Sequence, residues 1–190
     1  MKIGLYFGSF NPIHTGHLII ASHLAQYTLL QQVWLVISPQ NPLKNSIALL
    51  NENHRKRLVD LAIEGDDKLR TCNIEFKLPR PSYTIETLAY LSDNYPQHEF
   101  AVIMGSDSFS NIKKWKNYEA LLRNYEIYIY MRPGFNVNPE MISENITILN
   151  APLLQISSTH IREMIRQKKS IRYLAPDVVR EEIEQQQYYG

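Results

Sequence analysis

The chain has 190 residues, 44% of them apolar, a formal net charge of +1 and one cysteine. That length suits one domain with a sizeable core, and the near-zero charge excludes a global basic field for nucleic acid. The single Cys72 excludes a disulfide framework and fits a reducing, cytoplasmic setting.

In chain order, residues 3–7 read as a short apolar strand and residues 17–30 as a helix. The opening apolar run is too short for a signal peptide. Between strand and helix lies Gly8-Ser9-Phe10-Asn11-Pro12-Ile13-His14-Thr15-Gly16-His17. A Gly-rich turn into a helix start is where a parallel α/β protein holds phosphate, because N–H groups and the positive dipole end converge there. Residues 33–38 form a continuous apolar run, as expected of a strand covered on both faces. Residues 39–46 are a polar loop with two prolines. Residues 53–63 are helical, with Leu58, Leu61 and Ala62 on the apolar face and Arg55, Lys56 and Arg57 marking the polar one.

Residues 70–76 read as a strand, in which Cys72 is a small buried apolar residue. A loop over 79–83 precedes a helix over 84–95, with a Thr N-cap. Residues 100–104 are a buried strand ending in Gly105-Ser106-Asp107. A helical stretch, broken near Lys114 and Trp115, runs on to Arg123. Residues 126–131 and 146–149 are strands, separated by a Pro/Gly/Asn-rich excursion. Helices follow over 158–167 and 176–187, and residues 185–190 are expected to fray. No stretch approaches the ~20 apolar residues of a membrane span.

The β-α-β-α order predicts an α/β fold: a Rossmann-like, doubly wound parallel sheet with a C-terminal helical portion, in a single domain over residues 1–190. Ligands of such sheets sit beyond the carboxyl ends of the strands. The segments 8–17, 39–44 and 105–107, and Arg132, all lie just after predicted strands.

Three constellations carry chemistry. A lone histidine is usually structural, but His14 and His17 flank Gly16 at a strand-to-helix junction and can face one phosphate. The turn is neither the Gly-x-x-x-x-Gly-Lys-Ser/Thr loop nor the Gly-x-Gly-x-x-Gly fingerprint, and two histidines alone do not make a closed metal site. Ser157-Ser158-Thr159-His160-Ile161-Arg162 reads first as an N-capped helix. It is also an anion site, since Arg162 can grip phosphate oxygens with two parallel donors. Trp115, among Lys113, Lys114 and Lys116, is either a surface anchor or a flat wall for a planar ring.

Residues 8–17 resemble the first signature of the nucleotidylyltransferase superfamily, whose histidine pair is shared with class I aminoacyl-tRNA synthetases. Ile156-Ser157-Ser158-Thr159-x-Ile161-Arg162 resembles the second. Within that superfamily, four features resemble the bacterial nicotinate-nucleotide adenylyltransferases: Ser82-Tyr83-Thr84-x-x-Thr87-Leu88, Gly105-x-Asp107 with Trp115 eight residues further on, Arg132-Pro133-Gly134, and the length. The resemblance covers nearly the whole chain. One departure stands in the loop after the second strand, where the family's Pro-Pro-His-Lys is Asn41-Pro42-Leu43-Lys44 here.

The resemblance implies transfer of the adenylyl group of ATP to nicotinate mononucleotide, with release of pyrophosphate and with Mg²⁺ bridging ATP oxygens. It implies catalytic roles for His14, His17 and Arg162. It places Gly8, Ser9, Phe10, Lys44, Gly105, Asp107, Ser157 and Ser158 at ATP. It places Tyr83, Thr84, Ile85, Trp115 and Lys116 at the mononucleotide. The nucleophile is a phosphate oxygen already ionised at neutral pH, so no general base is required. Alternatives stay open: preference for nicotinamide mononucleotide, a phosphopantetheine adenylyltransferase or cytidylyltransferase, and a non-catalytic nucleotide-binding module. A homo-oligomer is also left open. A synthetase fragment would need a Lys-Met-Ser-Lys-like signature, which is missing.

Overall fold

The computed structural model describes residues 1–40, 49–152 and 154–190. Its elements are β1 (Lys2–Gly8), α1 (Thr15–Tyr27), β2 (Gln32–Ile37), α2 (Glu52–Ala62), β3 (Leu69–Cys72), α3 (Thr84–Asn94), β4 (Glu99–Gly105), α4 (Ser106–Phe109), α5 (Tyr118–Asn124), β5 (Glu126–Tyr130), β6 (Ile146–Leu149), α6 (Ser158–Arg166) and α7 (Asp177–Gln185). The six strands form one parallel sheet in the order β3-β2-β1-β4-β5-β6. This is the predicted α/β architecture, doubly wound, with the C-terminal helical portion formed by α6 and α7. Strand order reverses between β1 and β4, and the crevice over that reversal is where such sheets bind ligands.

Alternation along the strands builds a core on each face of the sheet. Tyr6, Leu35, Ile103 and Tyr128 point to one face, where residues of α1, α2, α6 and α7 cover them. Leu5, Val36, Val102 and Ile129 point to the other, covered by Leu88, Leu91 and Leu121 from α3 and α5. Gly4 is required by close approach: a Cβ there would meet the Ile103 and Leu30 side chains at 2.7 and 2.6 Å. Among the described residues, no helix is long and apolar enough to cross a membrane.

Four local expectations need correction. The first helix stops at Tyr27 rather than residue 30, because the Thr28 hydroxyl takes up the Leu24 carbonyl at 2.6 Å as the backbone turns extended. The strand expected over residues 70–76 ends at Cys72, paired with Val36, and Ile74–Lys77 coils into a 3-10 turn. That coil turns the Glu75 carboxylate inward to two hydroxyl donors. Arg55 is 1% exposed and does not mark a polar face. It lies three and four residues before the fully buried Leu58 and Val59, hence on the buried stripe. The end of the chain, expected to fray, is anchored at Tyr188 and Tyr189. The Tyr188 hydroxyl meets His54 Nδ1 at 2.7 Å, and both terminal tyrosines pack against the first core.

Candidate active site

Two chambers open side by side above the carboxyl ends of β1 and β4, about 480 and 390 Å³ in volume. They share a floor made by Tyr6, Phe7, Gly8, Ser9, Asp107, Ser108 and Tyr130. Gly8 is needed at this floor because a Cβ would meet the Phe10 ring at 2.8 Å. Phe10 itself takes a left-handed φ of 44°, a conformation that costs free energy in a non-glycine residue and clusters at functional sites. Its ring is buried edge-on to Tyr6 and His17, so it supports the turn from beneath.

One chamber gathers the histidines and Arg162. His14 is the N-cap of α1, and its ring stacks on His17 with centroids 3.7 Å apart. Burial, and secondarily the Arg132 charge, pull the His14 pKa down to about 4, so its imidazole is neutral at pH 7. The buried Nδ1 of His14 has no hydrogen-bond partner among the described residues. Across the chamber, α6 presents its N-terminus. The Ser157 oxygen accepts the His160 N–H at 3.1 Å, the Ser158 hydroxyl donates to the Pro12 carbonyl at 2.9 Å, and Arg162 Nη1 donates to the Asn11 carbonyl at 2.7 Å. The segment is thus a capped helix start and a wall of the chamber at once. Two helix N-termini, those of α1 and α6, converge on one space, and both favour an anion there.

The other chamber is walled by aromatics. Tyr83 and Trp115 are both half-buried and line it, with Thr84, Gly105, Lys114 and Lys116. Lys116 pairs with Glu86 at 2.5 Å and lies 4.5 Å from the Tyr83 ring centre, bracing one wall against the other. Trp115 also packs on the second core, which favours the wall over the surface anchor. The helix start differs in detail from expectation: Tyr83 is the N-cap of α3, without a side-chain cap bond, and Thr84 is its first helical residue. Ile85 packs its side chain into the core, so what it can offer a ligand is its backbone N–H.

The structure thus brings His14, His17, Arg162, Ser157 and Ser158 to one chamber and Tyr83, Thr84, Trp115, Lys116 and Gly105 to the other. Gly8, Ser9 and Asp107 lie at the junction. Lys44, with Leu43, lies outside the described residues.

Arg132, singled out in the sequence by its place after a strand, pairs with Asp107 at 3.3 Å and contacts the Tyr130 hydroxyl. Several other residues around the site escaped sequence reasoning. Arg55 donates to the carbonyls of Ser9, Ser38, Pro39 and Leu50, tying the turn after β1 to the end of β2. Tyr6 and Tyr130 meet hydroxyl to hydroxyl at 3.3 Å in the shared floor, where burial above all holds the Tyr6 pKa well up. The Tyr189 hydroxyl is buried, and its pKa is raised by that burial against the opposing charges of Arg55 and Arg162. The available signals were the helical spacing of Arg55 and the place of Tyr6 near a strand end.

The family model for cytidylyltransferase-like proteins matches residues 5–164. A "Probable nicotinate-nucleotide adenylyltransferase" of Flavobacterium psychrophilum is 50% identical over 191 residues, spanning 100% of this chain and 99% of that protein. One of the same name from Cytophaga hutchinsonii is 49% identical over 190 residues, spanning 100% and 99%. Among solved structures, a Plasmodium falciparum nicotinic acid mononucleotide adenylyltransferase complexed with NaAD superposes with a TM-score of 0.83. It covers 99% of this chain and 97% of that one at 20% identity, a likeness of fold.

Proposed function

The chain belongs to the cytidylyltransferase-like family of nucleotidyltransferases, and we propose that it is the enzyme that joins nicotinate mononucleotide to ATP, giving nicotinate adenine dinucleotide and pyrophosphate. The observation that carries this reading is the pair of chambers with one floor: anion-binding helix starts on one side, an aromatic wall on the other, and a junction where two nucleotides would meet at their phosphates.

The mononucleotide phosphate oxygen attacks the α-phosphorus of ATP, the bond to the β-phosphate breaks, and its electron pair leaves with pyrophosphate. The nucleophile is already ionised, so alignment of two polyanions and stabilisation of charge are the work required. His14 and His17 serve the triphosphate at the α1 start. Arg162 supplies the forked cation, and Gly8, Ser9 and Phe10 form the turn that walls the phosphates. The Ser157 hydroxyl accepts at its oxygen and keeps its proton for a phosphate oxygen. Ser158 has committed its proton to Pro12 and offers its backbone N–H. Asp107 at the junction is assigned to ATP, as is Gly105, two residues before it on the wall of the aromatic chamber, and Lys44 is assigned there on its motif. Trp115 stacks on the pyridine, Tyr83 lines the same chamber, and the N–H groups near Thr84, Ile85 and Lys116 take the carboxylate.

This chemistry uses a divalent cation with ATP, which we assign as Mg²⁺, neutralising phosphate charge. No group of three His, Cys, Asp or Glu side chains gathers among the described residues. The free, buried Cys72, its pKa pushed up to about 11 by burial, suits the cytoplasm.

Side-by-side pyrophosphate release with ATP and either pyridine mononucleotide tests the reading. The acid should be preferred by at least about tenfold in kcat/KM, only ~1.4 kcal/mol. An amide brings a donor NH₂ that leaves a site N–H unpaired. Equal kcat/KM values refute acid specificity, and no adenylyl transfer to either substrate refutes the activity.

A further inference from the structure

Glu75 is 2% exposed and lines the aromatic chamber, yet nothing in the adenylyl-transfer chemistry calls for it. Its carboxylate accepts the Ser82 hydroxyl at 2.8 Å on one oxygen and the Thr87 hydroxyl at 2.9 Å on the other. Ser38, at the end of β2, is a further hydroxyl partner. Ser82 and Thr87 straddle the N-cap Tyr83: one precedes it, and the other is the fourth helical residue of α3. That pair of positions is where helices commonly place an apolar staple. Here a buried carboxylate bridges them instead.

An apolar staple would hold the helix start without the cost of burying a charge. What the carboxylate adds is direction. Two oxygens fix two hydroxyls on either side of Tyr83, and the third partner ties the assembly to the sheet at the site floor, where the Ser38 N–H donates to the Gly8 carbonyl at 2.9 Å. The first turn of α3 has no side-chain cap of its own, so its orientation depends on this bridge. Resting on the activity proposed above, we infer that Glu75 is a positioning residue for the mononucleotide, holding Tyr83 and the open N–H groups of the α3 start in the pose that receives the pyridine ring and its carboxylate. Glu75 does not line the histidine chamber, so its effect should fall mainly on the mononucleotide.

Glu75→Gln is nearly isosteric but replaces one accepting oxygen with a donating NH₂, which mismatches one of the two hydroxyl bonds. Steady-state kinetics of the full chain should show KM for nicotinate mononucleotide raised about tenfold or more, while KM for ATP stays within about twofold. Ser82→Ala removes one arm and leaves the charge with its other donors. It should show the same split at about threefold, and it reports if the glutamine variant fails to fold. Equal changes in both KM values, or an unchanged mononucleotide KM in either folded variant, overturn the inference. Wild-type turnover is read first. Its absence removes the activity itself, whereas normal wild-type turnover without the split overturns only the role of Glu75.

Discussion

Acidification should destabilise this protein through one ring, His14. The side chain is 4% exposed, and burial, helped by Arg132, holds its pKa at about 4 against 6.5 for the free side chain. Between those values the folded chain keeps the ring neutral while the unfolded chain protonates it. The unfolded state therefore binds more protons, and stability present above the unfolded pKa is lost as the pH falls through that window. From about pH 8 to about pH 5 this one group should remove about 2 kcal/mol, levelling near ~3 kcal/mol below the folded pKa. Urea unfolding of wild type and His14→Asn at both pH values reads the effect. A constant offset between them reflects lost packing, but the wild type should lose about 2 kcal/mol more on acidification than the variant. The same acid loss in both proteins would refute the neutral, buried His14. Ligand should reverse the trend. A unit phosphate charge about 4 Å from the ring, at an effective dielectric of ~20, is worth about 4 kcal/mol. Binding of an unreactive ATP analogue near pH 6 should thus draw in protons, and calorimetry in buffers of different ionisation enthalpy should show less uptake for His14→Asn.

His17→Ala should cut kcat by about 100-fold or more with a small change in mononucleotide KM, since charge develops at the phosphate it serves; near-normal kcat would end its catalytic role. Arg162→Lys should weaken an unreactive ATP analogue by about 1–3 kcal/mol, because lysine cannot hold the Asn11 carbonyl and grip phosphate with a second prong. Unchanged affinity by calorimetry would make Arg162 a structural helix residue. Tyr189→Ala should cost about 2–3 kcal/mol of stability, less than a fully buried aromatic because the side chain is half-buried, and should raise KM for ATP because the ring neighbours Arg55 and Arg162. Loss of stability with an unaltered ATP KM would separate the tail from the site.

The sequence by itself determined what local chemistry writes into a chain. The unbroken apolar runs at residues 3–7, 33–38 and 100–104 announced strands covered on both faces, and successive side chains of those runs feed the two cores in turn. The Gly-rich turn at Gly8, the His14/His17 pair and the capped start at Ser157 announced two anion-binding helix ends, and both face one chamber. Tyr83 and Trp115, 32 positions apart, needed the resemblance to be placed together, and the structure lines one chamber with both. Only the tertiary structure decided the supports beneath them. Arg55 reads as a surface cation beside Lys56 and Arg57 until the fold surrounds it with four carbonyls. Glu75 reads as a strand residue until Ser82 and Thr87 close around its carboxylate. Tyr188 and Tyr189 read as a fraying end until His54 and the first core receive them. The physical reason is common to all three. A polar group's burial is favourable only if partners distant in sequence meet it, and no local periodicity records which partners the packed chain will bring.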